Sequence, residues 1–398
     1  LIFVLSKEKN CFCLAARQGY RDPEDQKKKE GPETFREEEA ISQPEVLFRL
    51  EHNQPVMAWL EEHLDVLEKE QIEVNPYYQT LKKDALSWFD LTQLDLLVPI
   101  IYENRIYALL GLGKKESLRS YTINDTRILK KLGAEIGVTV FNALHHLDLV
   151  EKERIEEELK MGRHIQLALL PQGTPSISGL KVTGLMQPAR EIGGDYYDFI
   201  NLSEEEKAAI IIGDVSGKGV AAGLCMAMVK TSVQIYANKE RSPKQILLNV
   251  NYILNKHIGG EKFMTMLYLV WEPKTSKITY ASAGHEHILI YKQKKKVLDV
   301  IQSGGTLLGI SPDIEALLED RAILLESGDK VLLYTDGATE AHNSVKERFG
   351  LERLKTVFKE QSDRPIDFII DRIRKEIFEF ISTCPQYDDI TLVGLEKT

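Results

Sequence analysis

Aspartates that stand beside glycines at the ends of apolar runs are the residues of this sequence best suited to chemistry. Asp195 ends a Gly-Gly-Asp triplet, Asp214 follows the apolar run AAIIIG, Asp336 follows KVLLYT, and Asp388 and Asp389 precede ITLVGL. An apolar strand can deliver a carboxylate at its end, and the neighbouring glycine lets the backbone turn tightly there. We therefore predict that these four sites meet at one edge of a folded domain.

Such a group of carboxylates predicts divalent cations. Four of them in a partly dry site would carry about four negative charges and could not all stay ionised without cations. Oxygen ligands without nearby His or Cys suit Mg²⁺ or Mn²⁺ better than Zn²⁺, and two ions ~3.5–4 Å apart suit displacement at phosphorus. A single Asp-Gly pair is most often only a turn, so the prediction depends on the recurrence.

The elements that must position these aspartates begin after Pro171. Short apolar runs alternate there with glycine-rich turns, and helical spacing appears at 219–238, 243–257, 350–360 and 365–383. Many strands with a few helices indicate an α+β domain. We find no internal repeats.

A long helical pattern precedes this domain. It begins near Asn124, with Thr122 or Asn124 as N-cap, and continues without proline to Pro171. Its apolar stripe is thin and irregular, which is typical of a coiled coil or of an exposed helix docked on its neighbours. We favour a coiled-coil linker.

The first third of the chain reads as a smaller α/β domain. Residues 1–20 are predicted to form two strands, 21–45 a polar loop, and 55–70 a helix, and the run from Leu94 to Lys115 reads as a hairpin that turns at Glu103–Asn104. The chain starts without Met, in what reads as a strand. We therefore expect it to be a piece of a longer protein.

Composition restricts the classes of partner. The formal net charge is -10, which disfavours nucleic acid, because phosphate backbones require a basic surface. No apolar run in the sequence looks long enough to span a membrane. We expect a cytoplasmic protein that binds neither nucleic acid nor membrane.

Ordered sequence blocks in the second half resemble a known family. The blocks are PAREIGGDYYDF, GDVSGKGVAAGLCMAMVK, FMTMLYLVWEP, YASAGHEHILIY, TLLGI, LLYTDGATEA, RFG and DDITLVGLE. They resemble the RsbU/SpoIIE-like branch of the metal-dependent protein phosphatases (type 2C class, PPM), over roughly residues 165–398 of this chain.

The resemblance implies an α-β-β-α sandwich that holds two Mn²⁺ or Mg²⁺ ions and hydrolyses phosphoserine or phosphothreonine through an activated water. The implied substrate is a regulatory protein, an anti-sigma-factor antagonist of the STAS type. The implied metal ligands are Asp195, Asp214, the Val215 carbonyl, Asp336 and Asp388, with Asp389 as the alternative to Asp388. Asp214 would bridge both ions, and Asp195 and Asp214 would be the catalytic residues.

Several further residues have two interpretations each. Arg190 could contact substrate phosphate or be a surface arginine, and Lys218 could contact phosphate or be solvated. His285 is a candidate proton donor or a packing residue. Asp198 and Glu340 are interpreted as structural.

Residues 1–145 resemble a GAF domain less specifically. The resemblance implies a sensor that could bind a small molecule, and we divide the chain into this N-terminally incomplete GAF-like domain, a helical linker at 146–175 and the phosphatase domain at 176–398. We expect a homodimer through the linker helix and regulation of the phosphatase by the sensor. The competing hypothesis is a catalytically weak phosphatase-like module that acts by docking a partner.

Overall fold

The computed structural model describes residues 2–6, 11–16, 49–51, 54–117, 119–202, 206–240, 242–258 and 260–398. The chain forms two compact units, Leu1–Glu153 and Arg154–Thr398. Their boundary falls inside the predicted linker, and the predicted division into three domains stays a proposal. The predicted loop at 21–45 lies outside the described residues.

The first unit contains, within its described residues, a six-stranded antiparallel sheet in the order β3-β2-β1-β6-β5-β4. Helices α1, α2 and α3 contribute buried side chains to its core. The elements are β1 Ile2–Ser6, β2 Cys11–Ala16, β3 Arg49–Glu51, α1 Pro55–His63, β4 Leu67–Glu68, α2 Lys69–Val74, a 3₁₀ turn Pro76–Tyr78, α3 Lys82–Thr92, β5 Leu96–Tyr102 and β6 Arg105–Leu112.

The predicted hairpin is present as β5 and β6. Glu103 and Asn104, which connect the two strands, have φ angles of 45° and 59°. Two successive left-handed residues make the tight turn whose twist matches antiparallel strands, and Asn tolerates this conformation well. The local sequence was therefore sufficient to predict this turn.

Helix α4, Ile123–Leu169, runs for 47 residues. Thr122 and Asp125 cap its start reciprocally, since the Asp125 carboxylate accepts the Thr122 N–H at 2.7 Å and the Thr122 hydroxyl accepts the Asp125 N–H at 3.3 Å. Of the two predicted caps, Thr122 is therefore the N-cap, and the alternative of Asn124 is wrong. Much of the predicted apolar stripe is exposed, including Leu147 at 64% and Ile165 at 62%.

The second unit contains, among its described residues, two five-stranded antiparallel sheets in the orders β14-β11-β10-β9-β8 and β13-β12-β15-β16-β7. The strands are β7 Leu180–Gln187, β8 Tyr196–Asn201, β9 Ala208–Val215, β10 Met264–Glu272, β11 Lys277–Ala283, β12 Ile288–Lys292, β13 Val297–Ile301, β14 Arg321–Leu324, β15 Lys330–Tyr334 and β16 Ile390–Lys397. The helices are α5 Val220–Ala237, α6 Pro243–Ile258, α7 Asp336–Glu340, α8 Gly350–Glu360 and α9 Ile366–Ile381, with a 3₁₀ turn at Glu315–Leu317.

These elements form four layers. Side chains from both sheets share one core, which includes Ile211 and Leu267 from the first sheet and Ile290 and Val393 from the second. Helices α5 and α6 cover the first sheet, and α9 packs on β7 and β16 of the second. The mixed α/β architecture agrees with the helix–sheet–sheet–helix order that the resemblance implied.

Helix α5 corrects the expectation that no apolar run of this sequence could span a membrane. Among the described residues, α5 (Val220–Ala237) is the one helix that is long and apolar enough to span a membrane. Half of it is buried inside the unit, against α6, β8 and β9. This burial is typical of a core helix.

Two strands of this unit were not predicted. In β8 the sequence YYDFIN places Asp198 and Asn201 in what would otherwise be an apolar run. The edge strand β13 has no buried residue, so it lacks the alternation that identifies a half-buried strand. The pairing of β8 with β9 matters for function, because it places Asp195 near Asp214.

Candidate metal centre

The candidate aspartates come from adjoining strand ends of both sheets. Asp195 immediately precedes β8 and Asp214 lies near the end of β9, and Tyr196 pairs with Gly213 between these antiparallel strands. In the other sheet, Asp336 follows β15 and Asp388 precedes β16, again where antiparallel partners begin and end. The folding pattern thus delivers two carboxylates from each sheet.

Contacts between the two sheets bring these four sites together. The Asp389 carboxylate, from the second sheet, accepts the Gly194 N–H at 2.7 Å, beside Asp195 of the first. The Thr335 hydroxyl, just ahead of Asp336, donates to Asp195 at 2.9 Å. Asp195 also accepts a hydrogen bond from Thr391 of β16.

Burial and mutual repulsion perturb the protonation of these acids. Asp195 is 1% exposed, and burial, followed by repulsion from Asp214 and Asp389, raises its pKa well above the usual range. Burial, followed by repulsion from Asp336 and Asp388, raises the pKa of Asp214 to about 7. These acids therefore lie where negative charge is unfavourable without a cation.

Asp336 follows the same pattern. Burial, then repulsion from Asp388 and Glu340, raises the pKa of Asp336 to about 6. It begins the short helix α7, directly after the N-cap Thr335.

Asp388 and Asp389 have different surroundings. The Asp389 side chain is buried, and its two carboxylate oxygens accept the N–H groups of Ala189, at 2.8 Å, and Gly194. The Asp388 side chain is 39% exposed and pairs with Lys218 at 3.0 Å. The Asp389 carboxylate thus holds two backbone N–H groups in place, whereas the Asp388 carboxylate can exchange its lysine partner for a metal ion.

Two glycines are required by the close approach of the segments that carry the acids. A Cβ atom at Gly337 would overlap the Asp389 carbonyl oxygen, which is backbone and cannot move aside. A Cβ at Gly194 would lie 2.7 Å from the Val215 carbonyl oxygen. The Val215 carbonyl, predicted as a metal contact, therefore lies against the residue that precedes Asp195.

The donors fit a hard divalent cation chemically, since they are carboxylates and a backbone carbonyl. Among the described residues, however, no three His, Cys, Asp or Glu side chains are gathered closely enough to hold an ion as they stand. The Asp388 side chain is paired with Lys218 instead, and Asp214 lies close enough to Asp195 to raise the pKa of that acid. Binding of a metal ion would require such side-chain contacts to be replaced by contacts to the ion.

Two predicted substrate contacts lie near this cluster. Lys218 donates to the Tyr387 carbonyl as well as pairing with Asp388, so it is not simply a solvated lysine. Arg190 is exposed, in the loop where Ala189 binds Asp389. Within the described part of the chain, its guanidinium makes no hydrogen bond or ion pair.

His285 has the surroundings of a packing residue. It is 6% exposed, and burial lowers its pKa to about 4, so the neutral ring predominates at pH 7. Its Nδ1 contacts the Thr265 hydroxyl at 2.9 Å, and Thr265 pairs with Asp214 across β10 and β9.

The two acids interpreted as structural have cation partners. Asp198 pairs with Lys230 at 2.7 Å, with both side chains almost fully buried, and also accepts the Tyr196 hydroxyl. Glu340 pairs with Arg348 at 2.9 Å.

Sequence reasoning missed Gln166. Its side-chain amide donates to the Gly193 carbonyl at 2.7 Å and accepts the Gly193 N–H at 3.0 Å. A segment of α4 is thereby fixed to the loop that presents Asp195. A glutamine in a charged helix gives no local signal of such a contact.

Comparisons with known proteins identify the relatives of this chain. The family model described as Stage II sporulation protein E (SpoIIE) matches residues 204–398. The phosphoserine phosphatase RsbU of Bacillus subtilis is 31% identical over 248 residues, which cover 62% of this chain and 72% of RsbU.

The chain belongs to the SpoIIE/RsbU family of PP2C-type serine/threonine protein phosphatases.

One further relative and one solved structure extend the comparison. Protein IcfG of a Synechocystis strain is 27% identical over 267 residues, which cover 60% of this chain and 41% of IcfG. The solved SiaA-PP2C domain of Pseudomonas aeruginosa superposes with a TM-score of 0.54 at 19% identity and covers 62% of this chain and 98% of that domain. The latter likeness concerns the PP2C fold alone. The SpoIIE match contains Asp214, Asp336 and Asp388, and Asp195 lies nine residues before it.

Proposed function

We propose that this PP2C-type phosphatase uses two Mn²⁺ or Mg²⁺ ions to hydrolyse phosphoserine or phosphothreonine on a regulatory protein. The observation that carries the proposal is the group of buried carboxylates whose pKa values are raised by burial and by one another. In a protein interior such a group is stable at neutral pH only with protons or cations.

The surroundings of each side chain support the proposed ligand set. Asp214 interacts with each of the other acids, since it raises the pKa of Asp195 and is itself repelled by Asp336 and Asp388, and we propose that it would bridge both ions. Asp195 and the Val215 carbonyl would hold one ion, and Asp336 and Asp388 the other. Asp389 is the weaker candidate, because its carboxylate oxygens accept backbone N–H groups.

Two bound divalent ions would lower the pKa of a water between them and offset charge on the phosphoryl oxygens. The chain's own residues do the rest. The threonine hydroxyls on Asp195 hold that carboxylate in one orientation. Lys218, once released from Asp388, and the exposed Arg190 would orient the phosphate.

We propose that the substrate is a phosphorylated anti-sigma-factor antagonist of the STAS type, in a cytoplasmic signalling pathway. The support is the similarity to RsbU, which is named a phosphoserine phosphatase. The net charge of -10 disfavours nucleic acid as a partner, and the burial of α5 disfavours a membrane span.

Regulation through α4 is the second part of the proposal. Gln166 fixes the end of this helix to the loop before Asp195. A displacement of the helix would therefore move Asp195, which we propose as a metal ligand. The exposed apolar side chains along α4, such as Leu147, support a homodimer formed through this helix. A switch of this kind requires two helix states with different catalytic competence.

The N-terminal unit is proposed to act as the GAF-like sensor. A cavity of about 500 Å³ lies beside the start of α4 and is lined by aromatic side chains, including Trp59 and Tyr77, and by Arg127. Its size and lining suit a small molecule. A ligand there would contact the helix itself.

The direct test is Mn²⁺-dependent hydrolysis of p-nitrophenyl phosphate and of a phosphoserine protein by the full chain and by Asp214→Ala. We expect hydrolysis by the wild type and almost none by the variant. The competing docking module predicts that neither protein turns over substrate while the phosphoserine protein still binds.

A further inference from the structure

A cavity of about 270 Å³ opens beside the carboxylate group of the phosphatase unit. Gly337 and Asp388 are among its lining residues, so it adjoins the acids that we assign to the metal ions. Its lining also includes His342, Lys346 and Arg348 from the loop after α7 and Tyr387 from the segment before β16. We call this cavity the Lys346 pocket.

The loop that forms the pocket is rigidly built. The Asn343 side chain accepts the N–H groups of Val345, at 3.1 Å, and Glu347, at 3.0 Å. The Asn343 N–H donates to the Glu347 carbonyl at 3.1 Å. Lys346 has a φ of 63°, in the left-handed region. A lysine in this conformation is strained, and such strain is found most often at functional sites.

Lys346 carries the unbalanced charge of the pocket. Arg348 is paired with Glu340 at 2.9 Å, and Asp388 is paired with Lys218. Within the described residues the Lys346 ammonium makes no hydrogen bond and no ion pair. It is exposed at the pocket wall, so an incoming anion meets a cation that has no competing partner.

An apolar surface flanks this cation. The rings of His342 and Tyr387 stack with their centroids 4.2 Å apart. Tyr387 is 58% exposed, and Val345 at the tip of the loop is 77% exposed. Exposed apolar side chains around a charged pocket are typical of a surface that contacts another protein.

We propose that the Lys346 pocket binds the residues that flank the phosphoserine of the protein substrate, and that Lys346 selects an acidic side chain there. The proposal rests on the function proposed above, because that function places the phosphoserine beside the four aspartates that we assign to the metal ions. The stacked His342 and Tyr387 rings would pack against the substrate backbone, while the ammonium pairs with a carboxylate within two residues of the phosphoserine.

The test compares two phosphoserine peptides that differ only in Glu or Lys at the positions within two residues of the phosphoserine. The wild type, Lys346→Asn and Lys346→Glu are assayed with both peptides, and each rate is divided by that protein's own rate with p-nitrophenyl phosphate and Mn²⁺. Asn tolerates the left-handed backbone, so Lys346→Asn removes the charge with the least disturbance of the loop.

We expect the wild type to prefer the Glu peptide in kcat/KM by about fivefold to tenfold, as for a partly exposed charge pair. The preference should fall to about one in Lys346→Asn and reverse in Lys346→Glu. A preference that is the same in all three proteins would overturn the proposal.

Lys296 provides a matched control. It is exposed, lies in the turn between β12 and β13, and has a φ of 54°, yet it does not line the pocket. Lys296→Asn should keep the wild-type preference. A loss of preference in this control would show a general charge effect and would also overturn the proposal.

The two proposals fail in different ways. If the wild type does not hydrolyse p-nitrophenyl phosphate with Mn²⁺, the proposed function fails, and binding of fluorescent forms of the two peptides, followed by anisotropy, then decides the pocket. Tighter binding of the Glu peptide that disappears in Lys346→Glu would support the pocket. Equal binding of both peptides would overturn it.

Discussion

Two buried acids of the phosphatase unit, Asp195 and Asp198, lie three residues apart and differ in their partners. Asp198 has the ammonium of Lys230 and the hydroxyl of Tyr196. Asp195 has two threonine hydroxyls, and its charged neighbours are other acids. A buried carboxylate with its own cation is complete as part of the fold, whereas one among carboxylates requires a cation from outside. The comparison separates a structural acid inside β8 from a candidate functional acid directly before it.

Asp214→Asn should produce the largest effect. Hydrolysis of p-nitrophenyl phosphate should fall by a factor on the order of 10³, because asparagine lacks the negative charge with which Asp214 would bind both ions. The metal-free variant should nevertheless be more stable than the metal-free wild type at pH 8, because one repelling charge is gone. Steady-state kinetics and urea unfolding in EDTA measure the two effects, and a less stable metal-free variant would contradict the comparison.

Asp198→Asn should have the opposite effects: it should destabilise the fold and leave metal binding nearly unchanged. It leaves Lys230 buried without a counter-charge, which typically costs about 3–5 kcal/mol of unfolding free energy. Urea unfolding in EDTA measures this loss. Mn²⁺ affinity of the folded variant should stay within about threefold of wild type. A Mn²⁺ affinity that falls as far as that of Asp214→Asn would show that both acids belong to one site.

The pH dependence of metal-free stability follows from Asp214, whose pKa is raised to about 7. The folded state then holds a proton that the unfolded state releases near pH 4, so stability is full below pH 4 and is lost as the pH rises through about 7. Between pH 5 and 8 we expect a loss of about 2–3 kcal/mol.

Mn²⁺ should remove most of this decline, because the cation replaces the proton. Thermal unfolding across this pH range, in EDTA and in Mn²⁺, measures the difference. A metal-free protein whose stability rises from pH 5 to 8 would contradict the assigned repulsion.

Asp388 and Asp389 should give the smallest contrast. Asp389→Asn should lower stability by about 1–3 kcal/mol, since its carboxylate accepts two backbone N–H groups. Asp388→Asn should leave stability nearly unchanged and weaken Mn²⁺ binding. Unfolding and Mn²⁺ titration of both variants distinguish the roles, and the reverse pattern would assign the ligand to Asp389.

The sequence predicted those parts of the molecule that local patterns determine. Asp214 and Asp336 could be identified because a glycine and an apolar strand adjoin each of them. The hairpin turn at Glu103–Asn104 was predictable because an Asn-bearing turn stands between two apolar runs. The strand β13 was not, since none of its residues is buried.

Contacts between distant segments could not be predicted. Lys218 meets Asp388 across 170 residues, and Gln166 meets Gly193 across 27. Neither residue type indicates its partner, because such pairs are created only when the sheets and helix pack together. The roles of Asp195, Asp214, Asp336 and Asp388 as ligands stay a prediction, although the fold brings the four together.

The most direct test of the central claim is a crystal structure of the full chain grown with Mn²⁺, with anomalous scattering recorded to locate the ions. We expect two ions per chain, both contacting Asp214, one also contacting Asp195 and the other Asp336 and Asp388. A structure determined at saturating Mn²⁺ that shows no ion among these four carboxylates would contradict the account.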